Sequence, residues 1–214
     1  MTLVFASNNS HKLEEVRQIM PAGVEVLSLK DIGFAAEIEE TGTTLLENSR
    51  LKAQTVWEWL KIKAEGEWRG AKVDGVFADD TGLEIDALDG KPGVYTARWY
   101  RQGAYDDVQG TKDMNEQEIF TANRAKALRE LVGKTNRDAQ FKTVITLIRQ
   151  DETLQIEGVV RGRIAEQERG EGGFGYDPVF IPEGYNETFA ELPAEIKNNI
   201  SHRARALAKL VEQL

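Results

Sequence analysis

The sequence predicts an α/β fold built on a mixed β-sheet. Segments with the two-residue alternation of strands are interleaved with segments of helical periodicity along the whole chain, which is typical of α/β proteins. Helical crossovers imply parallel strands, whereas one closely spaced pair of strands implies an antiparallel hairpin. The 214 residues suit one domain, residues 1–214.

The composition excludes several classes of protein. A content of 41% hydrophobic and 29% charged residues is that of a globular protein with a core, not of a disordered chain. The net charge of −9 argues against binding to nucleic acid polymers. The chain has no cysteine and two histidines, so any metal is expected to be held by oxygen. With no export signal or long apolar run, we expect a cytoplasmic protein without a membrane span.

The first part of the chain is predicted to alternate strands and helices. Residues 2–6 have the pattern of a strand, residues 11–20 of a helix, and residues 24–29 of a second strand. Thr44 and Glu47 form a capping box that opens the next helix. The predicted apolar face of this helix contains Leu46, Ala53, Val56, Trp57 and Leu60.

The middle of the chain is predicted to contain two strands and a long loop. Residues 75–78 read as a buried strand, residues 79–82 as a polar turn, and residues 83–87 as another strand. Residues 100–117 are the least hydrophobic stretch and are predicted to be a surface loop. A helix follows and runs to about Val132.

The last part is predicted to contain a hairpin, a glycine-rich loop and a final helix. Residues 141–148 and 153–160 form the predicted hairpin. Residues 170–175 form the loop, and a short strand at 179–181 follows. The final helix is predicted from the helical spacing of Ile200, Ala204, Leu207, Val211 and Leu214.

The segment from Ser7 to Lys12 is a candidate phosphate-binding site. It links the first strand to the first helix, so it brings backbone N–H groups and one lysine to a helix N-terminus. Taken alone, the same residues also fit a plain cap, with Asn9 or Ser10 capping the helix and Lys12 in solvent.

Five carboxylates form a candidate metal site. Glu39 and Glu40 precede a helix, Glu47 lies inside that helix, and Asp79 and Asp80 directly follow an apolar strand. Hard oxygen ligands of this kind suit Mg²⁺, which completes its shell with water and phosphate oxygens. The alternative is a simple turn in which Asp80 is a capping residue.

The glycine-rich loop is a candidate for base recognition. It matches G-x-G-x-x-G by letter, but prolines bracket the strand that follows, so no helix can start there as a dinucleotide fingerprint requires. The segment from Gly170 to Pro178, which contains the loop, carries Phe174, Tyr176 and Asp177, which could recognise a base. The alternative is a turn whose aromatic residues belong to the core.

The last helix begins with a basic cluster. His202 and Arg203 follow Lys197 closely, and such side chains can bind a carbonyl oxygen or a phosphate. Taken singly, the cluster could equally be a solvated helix N-terminus.

In this order, the motifs of the chain resemble those of the inosine triphosphate pyrophosphatase family, also called the Ham1-like or non-canonical purine NTP pyrophosphatases. The matching segments are Phe5–Lys12, Glu39–Gly42, Glu47–Asn48 with Leu51–Ala53, Phe77–Leu83, Pro92–Arg98, Gly172–Pro178 and Ser201–Arg203. They extend from the first strand to the last helix, so the resemblance covers almost the whole chain.

The resemblance implies a fold and an activity. The fold would be an elongated mixed sheet flanked by helices, with two lobes and a central cleft. The activity would be the hydrolysis of ITP, dITP and XTP to the monophosphate and pyrophosphate, with Mg²⁺ as cofactor and a homodimer as the assembly. Such an enzyme removes non-canonical nucleotides from the nucleotide pool.

The resemblance also implies roles for particular residues. Glu39 and Asp80 would bind the metal, and Asp80 would also accept a proton in catalysis. The residues implied to bind substrate are Ser7, Asn8, Asn9, Ser10, His11, Lys12, Thr81, Phe174, Gly175, Tyr176, Asp177, Lys197, His202 and Arg203. The choice between Glu39 and Glu40 stays open, because adjacent residues seldom point the same way.

Two other functions remain as alternatives. One is a non-catalytic sensor module that binds purine nucleotides in the same site. The other is a dinucleotide-dependent oxidoreductase built on the glycine-rich loop. The sequence also departs from the family, since Ser-Asn-Asn replaces Thr-Gly-Asn in the phosphate loop and residues 57–74 and 100–117 are longer than expected.

Overall fold

A computed structural model describes residues 1–64, 67–68, 71–102, 114–150 and 152–214. Strands and helices alternate, and 3-10 helices lie at Asp86–Leu88, Thr96–Arg101 and Asp177–Val179. The other elements are β1 (Thr2–Phe5), α1 (Ser10–Ile19), β2 (Glu25–Ser28), α2 (Leu45–Ala64), β3 (Glu67–Trp68), β4 (Ala71–Lys72), β5 (Gly75–Ile85), β6 (Lys91–Gly93), α3 (Glu116–Glu130), β7 (Asp138–Ile148), β8 (Thr153–Ile164), β9 (Phe180–Pro182), α4 (Ala194–Ile200) and α5 (His202–Val211).

The main sheet has the order β2-β1-β5-β7-β8-β9, and β6 pairs with β5. Strand β1 runs parallel to β2 and to β5, whereas the pairs β5–β6 and β8–β9 are antiparallel. Strands β3 and β4 form a separate two-stranded sheet. The predicted mixed α/β class is therefore confirmed.

The chain divides into two compact units that interleave along the sequence. Unit 1 comprises Met1–Asp80, Thr143–Gly158 and His202–Leu214. Unit 2 comprises Thr81–Lys142 and Val159–Ser201. Each unit has its own hydrophobic core.

In unit 1, alternation along β1 distributes its side chains between two apolar clusters. Val4 and Ala6 belong to a cluster that includes Val56 and Leu60 of α2. Leu3 and Phe5 belong to the other, and Phe5 stacks on Phe77 with ring centroids 4.9 Å apart. Both faces of the parallel strands are thus covered, as expected for buried parallel sheet.

The core of unit 2 is rich in aromatic side chains. Phe180 lies 4.7 Å from Phe141 and 5.3 Å from Phe189 between ring centroids. Trp99 and Tyr176 belong to the same cluster. The short segment around Phe180 is therefore fixed by its packing, although it contains a strand of only three residues.

Three predictions about local structure are wrong. Strand β5 continues without a break through residues 79–82, where a turn was expected. Leu46 is exposed, and its neighbour Leu45 is buried instead. The final helix does not include Ile200, because α4 ends there and α5 begins at His202.

Most of the other predicted elements agree with the structure to within a few residues. The capping box at Thr44 and Glu47 is formed, with each residue bonded to the backbone N–H of the other. Residues 103–113 of the predicted loop and parts of the segment 57–74 lie outside the described residues. None of the described helices has both the length and the hydrophobicity needed to cross a lipid bilayer.

Candidate active site

The register of the parallel strands in unit 1 places two candidate motifs side by side. Phe5 of β1 is paired with Phe77 of β5, and the N–H of Ala6 donates to the carbonyl of Phe77 at 2.8 Å. Because parallel strands advance together, the loop that begins at Ser7 leaves the sheet next to Asp79. The helix that follows this loop carries Lys12 in its first turn.

Asp79 is a buried carboxylate held by two cations of unit 1. It is 1% exposed, and it accepts hydrogen bonds from Lys12 Nζ at 2.9 Å and from Arg203 Nε at 3.0 Å. Burial alone would raise the pKa of Asp79, but the charges of Lys12, Arg203 and Lys52 hold it well below its usual value. Asp79 therefore stays ionised and organises the surrounding cations.

Asp80 has a different environment one residue later. Its Oδ1 accepts from Lys52 Nζ at 3.1 Å, and its Oδ2 accepts from Asn48 Nδ2 at 3.3 Å. Burial and the charge of Glu40 raise the pKa of Asp80 and outweigh the opposing effect of Lys52 and Lys12. A carboxylate with a raised pKa is a better proton acceptor than an ordinary aspartate.

Lys52 joins two carboxylates of unit 1. Its Nζ donates to Glu40 Oε1 at 2.6 Å as well as to Asp80. Burial alone would lower the pKa of Lys52, but the charges of Asp80, Glu40 and Asp79 raise it. Both Glu40 and Asp80 therefore present an oxygen to the same positive charge.

These oxygens fit a divalent cation. Mg²⁺ binds through one or two carboxylates and keeps other positions for water and phosphate. Glu40 and Asp80 supply two such oxygens around one point, whereas Glu39 is exposed. The described part of the chain contains no preassembled group of three or more His, Asp or Glu residues for a metal.

Asn48 links the segment before α2 to Asp80. Its side chain is inaccessible to solvent and accepts from the N–H of Gly42 at 2.8 Å through Oδ1. A Cβ atom on Gly42 would lie 2.6 Å from that same Oδ1, so the close approach requires glycine. Asn48 and Lys52 are four residues apart on α2, which places both on the face that reaches Asp80.

The segment from Ser7 to Lys12 forms the start of α1 in unit 1. Asn9 is the N-cap, and its Oδ1 accepts from the N–H of Lys12 at 2.9 Å. Asn8 and Ser10 are exposed, and Ser7 and His11 are half-buried. The capping alternative is thus confirmed for Asn9, but Lys12 is not a solvated lysine, because it pairs with Asp79.

Arg203 and His202 are buried at the start of α5. Arg203 is 2% exposed and forms ion pairs with Asp79 and with Glu15 of α1. A Cβ on Gly158 of β8 would lie 2.0 Å from the carbonyl oxygen of His202, so this glycine permits the close packing of α5. The alternative of a solvated helix N-terminus is therefore wrong for both residues.

In unit 2, a buried ion pair joins Asp177, which follows the glycine-rich loop, to Lys197 of α4. Lys197 Nζ donates to Asp177 Oδ2 at 2.7 Å, and the N–H of Phe174 donates to the same oxygen at 2.7 Å. The ammonium of Lys197 also lies 4.9 Å from the ring centroid of Phe174. These contacts hold the half-buried Phe174 ring in a fixed position.

The other predicted residues of unit 2 have different surroundings. Tyr176 is buried in the core, and its hydroxyl donates to the carbonyl of Thr96 at 3.2 Å. Burial raises the pKa of Tyr176. Gly175 is half-buried, and so is Thr81, which directly follows Asp80 in β5. Of the two aromatic residues in the loop, Phe174 is the one with an exposed surface.

Two residues of the charged cluster in unit 1, Glu15 and Asn48, were not predicted as site residues. Glu40 and Asp79 belong to the candidate carboxylate set named from the sequence, and Lys52 is a further cation beside them. The spacing of Asn48 and Lys52 on one helix face was a usable signal. Nothing in the sequence indicated that Glu15 would pair with Arg203, which is 188 residues away.

Sequence similarity to known proteins extends over the whole chain. The sequence model of the Ham1 family matches residues 3–213. The chain is 42% identical to the dITP/XTP pyrophosphatase of Flavobacterium johnsoniae, over 100% of this chain and 98% of the relative. It is 43% identical to the dITP/XTP pyrophosphatase of Aquifex aeolicus, over 100% of this chain and 96% of the relative.

Solved structures with similar folds also exist. The Ham1 protein of Staphylococcus aureus aligns with a TM-score of 0.79 and 35% identity, over 100% of this chain and 97% of that one. The HAM1 protein of Coxiella burnetii aligns with a TM-score of 0.77 and 32% identity, over 100% of this chain and 98% of that one.

Proposed function

The chain belongs to the Ham1 family, and we propose that it is a dITP/XTP pyrophosphatase, which hydrolyses non-canonical purine nucleoside triphosphates to the monophosphate and pyrophosphate. The observation that carries the proposal is the placement of Asp80. It is a buried carboxylate with a raised pKa, held by Lys52 and Asn48 beside the phosphate-binding segment.

In this proposal, Asp80 takes a proton from the attacking water. The oxygen of that water forms a bond to phosphorus, the anhydride bond to the pyrophosphate group breaks, and the proton goes to a carboxylate oxygen of Asp80. The raised pKa supports this role, because a general base works best when its pKa lies near the working pH. The chain has no cysteine that could act as a nucleophile instead.

The cations of unit 1 bind the triphosphate. The substrate brings several negative charges into a protein of net charge −9, so local positive charge is needed. Lys12 and Lys52 supply it, and the N-terminus of α1 adds its backbone N–H groups. Asn9 uses Oδ1 for capping, which leaves its Nδ2 as the atom that donates to phosphate.

We include Mg²⁺ as the cofactor, held by Asp80 and by Glu40 or Glu39. A bound Mg²⁺ supplies additional neutralisation of the phosphate charge. The pairing of Glu40 and Asp80 around one ammonium supports Glu40 as the second ligand. Lys52 Nζ lies 2.6 Å from Glu40 Oε1 and 3.1 Å from Asp80 Oδ1, so these two oxygens lie close to one another.

The loop of unit 2 recognises the base in this proposal. The Phe174 ring provides a face for stacking, and the ammonium of Lys197 provides hydrogen-bond donors. A 6-oxo group accepts such hydrogen bonds, whereas the 6-amino group of ATP leaves the donors unpaired. Each unpaired donor costs about 1–3 kcal/mol, which favours ITP and XTP over ATP.

The proposal further includes a cytoplasmic homodimer. The location follows from the substrates, which are made and used with the nucleotide pool. The assembly follows from the family resemblance, and sedimentation velocity of the purified chain tests it directly.

A product assay by ³¹P NMR tests the function. The chain is incubated with ITP, XTP, GTP and ATP, each with and without Mg²⁺. We expect monophosphate and pyrophosphate from ITP and XTP in the presence of Mg²⁺, while ATP persists. Release of orthophosphate alone would contradict the proposal, and tight binding of ITP without turnover would favour the sensor alternative.

A further inference from the structure

Arg124 of α3 is a buried arginine that contacts the loop from Phe174 to Asp177 in unit 2, to which the proposed function assigns recognition of the base. It is 5% exposed, and its Nη1 donates to the carbonyl oxygen of Gly175 at 2.9 Å. Its Nη2 donates to Thr121 Oγ1 at 3.2 Å, and its Nε forms an ion pair with Glu168 at 3.0 Å. Both terminal nitrogens of the guanidinium therefore donate hydrogen bonds, whereas Nε has the ion pair with Glu168 but no hydrogen bond.

Such an arrangement fixes the direction of the guanidinium. Burying an arginine is costly unless its charge and its donors are paired, so the side chain is held in the geometry that pairs them. The planar guanidinium holds its N–H donors in a rigid arrangement. When the side chain is held in place, the position of the oxygen that accepts from it is restricted as well. The acceptor here is the carbonyl of the residue that directly follows Phe174.

The backbone of the loop is suited to this contact. Gly175 has a φ of +61°, a conformation that glycine adopts without strain. The contact with Arg124 therefore acts on the loop at its most adaptable residue, between Phe174 and the buried Tyr176.

The same helix contacts the ring of Phe174. Phe120 lies one turn before Arg124 on α3, and the ring centroids of Phe120 and Phe174 are 6.1 Å apart. The start of α3 is itself secured by a capping box between Asn115 and Glu118. A rigid helix thus holds both the ring and the adjoining carbonyl of the loop.

We propose that Arg124 is a positioning residue that sets the base selectivity of the enzyme by fixing the loop from Phe174 to Asp177. This inference rests on the proposed function, because it assumes that the loop recognises the base. Arg124 acts through the carbonyl of Gly175 rather than by contact with the substrate. Loss of the contact lets the loop move, which weakens binding of the base and its discrimination while the hydrolytic groups of unit 1 are unchanged.

Substitutions of Arg124 test the inference by steady-state kinetics of pyrophosphate release from ITP and from GTP. For Arg124→Met we expect KM for ITP to rise about tenfold, with kcat within about a factor of two. The ratio of kcat/KM for ITP to that for GTP should fall about tenfold. Arg124→Lys should show a smaller loss than Arg124→Met, because an ammonium keeps the positive charge but lacks the planar set of N–H donors.

Arg163→Met is the matched control, because Arg163 is an exposed arginine on β8 of the same unit. It should leave KM and the ratio unchanged. An unchanged KM and ratio in Arg124→Met would overturn the inference. So would a fall in kcat by the same factor for both nucleotides with a lower melting temperature, since that pattern indicates a purely structural role.

A second variant covers the case in which Arg124→Met does not fold. Thr121→Val removes the oxygen that accepts from Nη2 but leaves the arginine paired with Gly175 and Glu168. It should raise KM for ITP about two- to threefold and lower the ITP-to-GTP ratio in the same direction. No change in either quantity would overturn the inference. The unmodified chain is assayed with ITP before the variants. If it releases no pyrophosphate, the proposed function itself is wrong.

Discussion

Asp79 and Asp80 are consecutive residues of β5, yet their carboxylates bind different cations and their pKa values are shifted in opposite directions. Lys12 and Arg203 hold the pKa of Asp79 down against the effect of burial, whereas burial and Glu40 raise the pKa of Asp80. Because side chains alternate along a strand, two adjacent residues can have separate environments. One aspartate can therefore stabilise the cluster while the other performs chemistry.

Substitution of the two aspartates should separate activity from stability. Asp80→Asn should lower kcat at least about 100-fold, because the proposed general base is lost, and leave stability nearly unchanged, since Lys52 keeps Glu40 as a partner. Asp79→Asn should lower the free energy of unfolding by about 3–5 kcal/mol, because Lys12 and Arg203 lose a buried counter-charge. Pyrophosphate release and urea unfolding measure the two effects. Full turnover by Asp80→Asn would refute the proposed mechanism.

Glu39 and Glu40 provide a matched pair for the metal site. Glu40→Gln should lower kcat/KM about tenfold at limiting Mg²⁺ and shift the Mg²⁺ titration to higher concentration, because a charged oxygen ligand is lost. Glu39→Gln should stay within about a factor of two of the unmodified chain, since Glu39 is exposed. Mg²⁺ titrations of the reaction rate compare them. The opposite ranking would assign the metal contact to Glu39.

Gly173 and Gly175 should respond differently to alanine. Both have positive φ values, 70° and 61°, so each substitution costs about 1 kcal/mol of backbone strain. At Gly173 the added Cβ would also lie 2.0 Å from Asp177 Oδ2, whereas at Gly175 nothing lies within 4 Å. Urea unfolding should therefore show a loss for Gly173→Ala that is larger by about 1–3 kcal/mol. Equal losses would mean that Asp177 adjusts without cost.

Tyr176 should make the protein sensitive to alkaline pH. Its folded-state pKa is raised by burial, while an unfolded tyrosine titrates near 10. The stability due to this group is complete below about pH 10 and falls as the pH rises, because the unfolded state then loses a proton that the folded state keeps. The free energy of unfolding should fall by about 1.4 kcal/mol for each pH unit above that point.

Tyr176→Phe isolates this contribution. The variant should be less stable near neutral pH by about 0.5–1.5 kcal/mol, because the hydrogen bond to Thr96 is lost. Its stability should fall less steeply above pH 10, so that the two curves converge near pH 11. Unfolding curves measured from pH 8 to 11 test this, and parallel curves would show that Tyr176 ionises in the folded state as freely as in the unfolded one.

The strand and helix pattern of this chain could be predicted because it follows from local periodicity. The strand β1, the helix α1 with its cap at Asn9, and the capping box at Thr44 all appear where the sequence indicates them. These features depend on residues close together in the chain, so the sequence alone carries the information.

The prediction of a turn at residues 79–82 was wrong for a physical reason. Two aspartates followed by Thr-Gly are typical of a turn, since unpaired carboxylates are excluded from a buried strand. Here Lys12, Lys52 and Arg203 neutralise both carboxylates, so β5 passes through the buried position without a break. Partners that are 28, 67 and 124 residues away cannot be identified from one sequence.

In the candidate site too, residues could be predicted where neighbours in the sequence determine their position, and not where distant residues do. Phe174 and Asp177 were predicted as base-binding residues from the composition of one loop, and the structure places both in contact with Lys197. Tyr176 was predicted as a base-binding residue from the same loop composition, but its side chain packs into the core of unit 2. Its position is determined by the hydrogen bond to the Thr96 carbonyl and by packing in the core cluster.

The division of unit 1 among distant parts of the chain also constrains its synthesis. Helix α5 supplies Arg203 to Asp79 and packs Leu207 and Leu210 against Leu3 and Phe5. A ribosome makes β1 well before α5, so the growing polypeptide lacks this covering until α5 emerges. Until then, the apolar face of β1 stays exposed or is shielded by a chaperone. A product that stops before α5 would lack a counter-charge for Asp79, so truncated copies would be recognisable to cellular quality control.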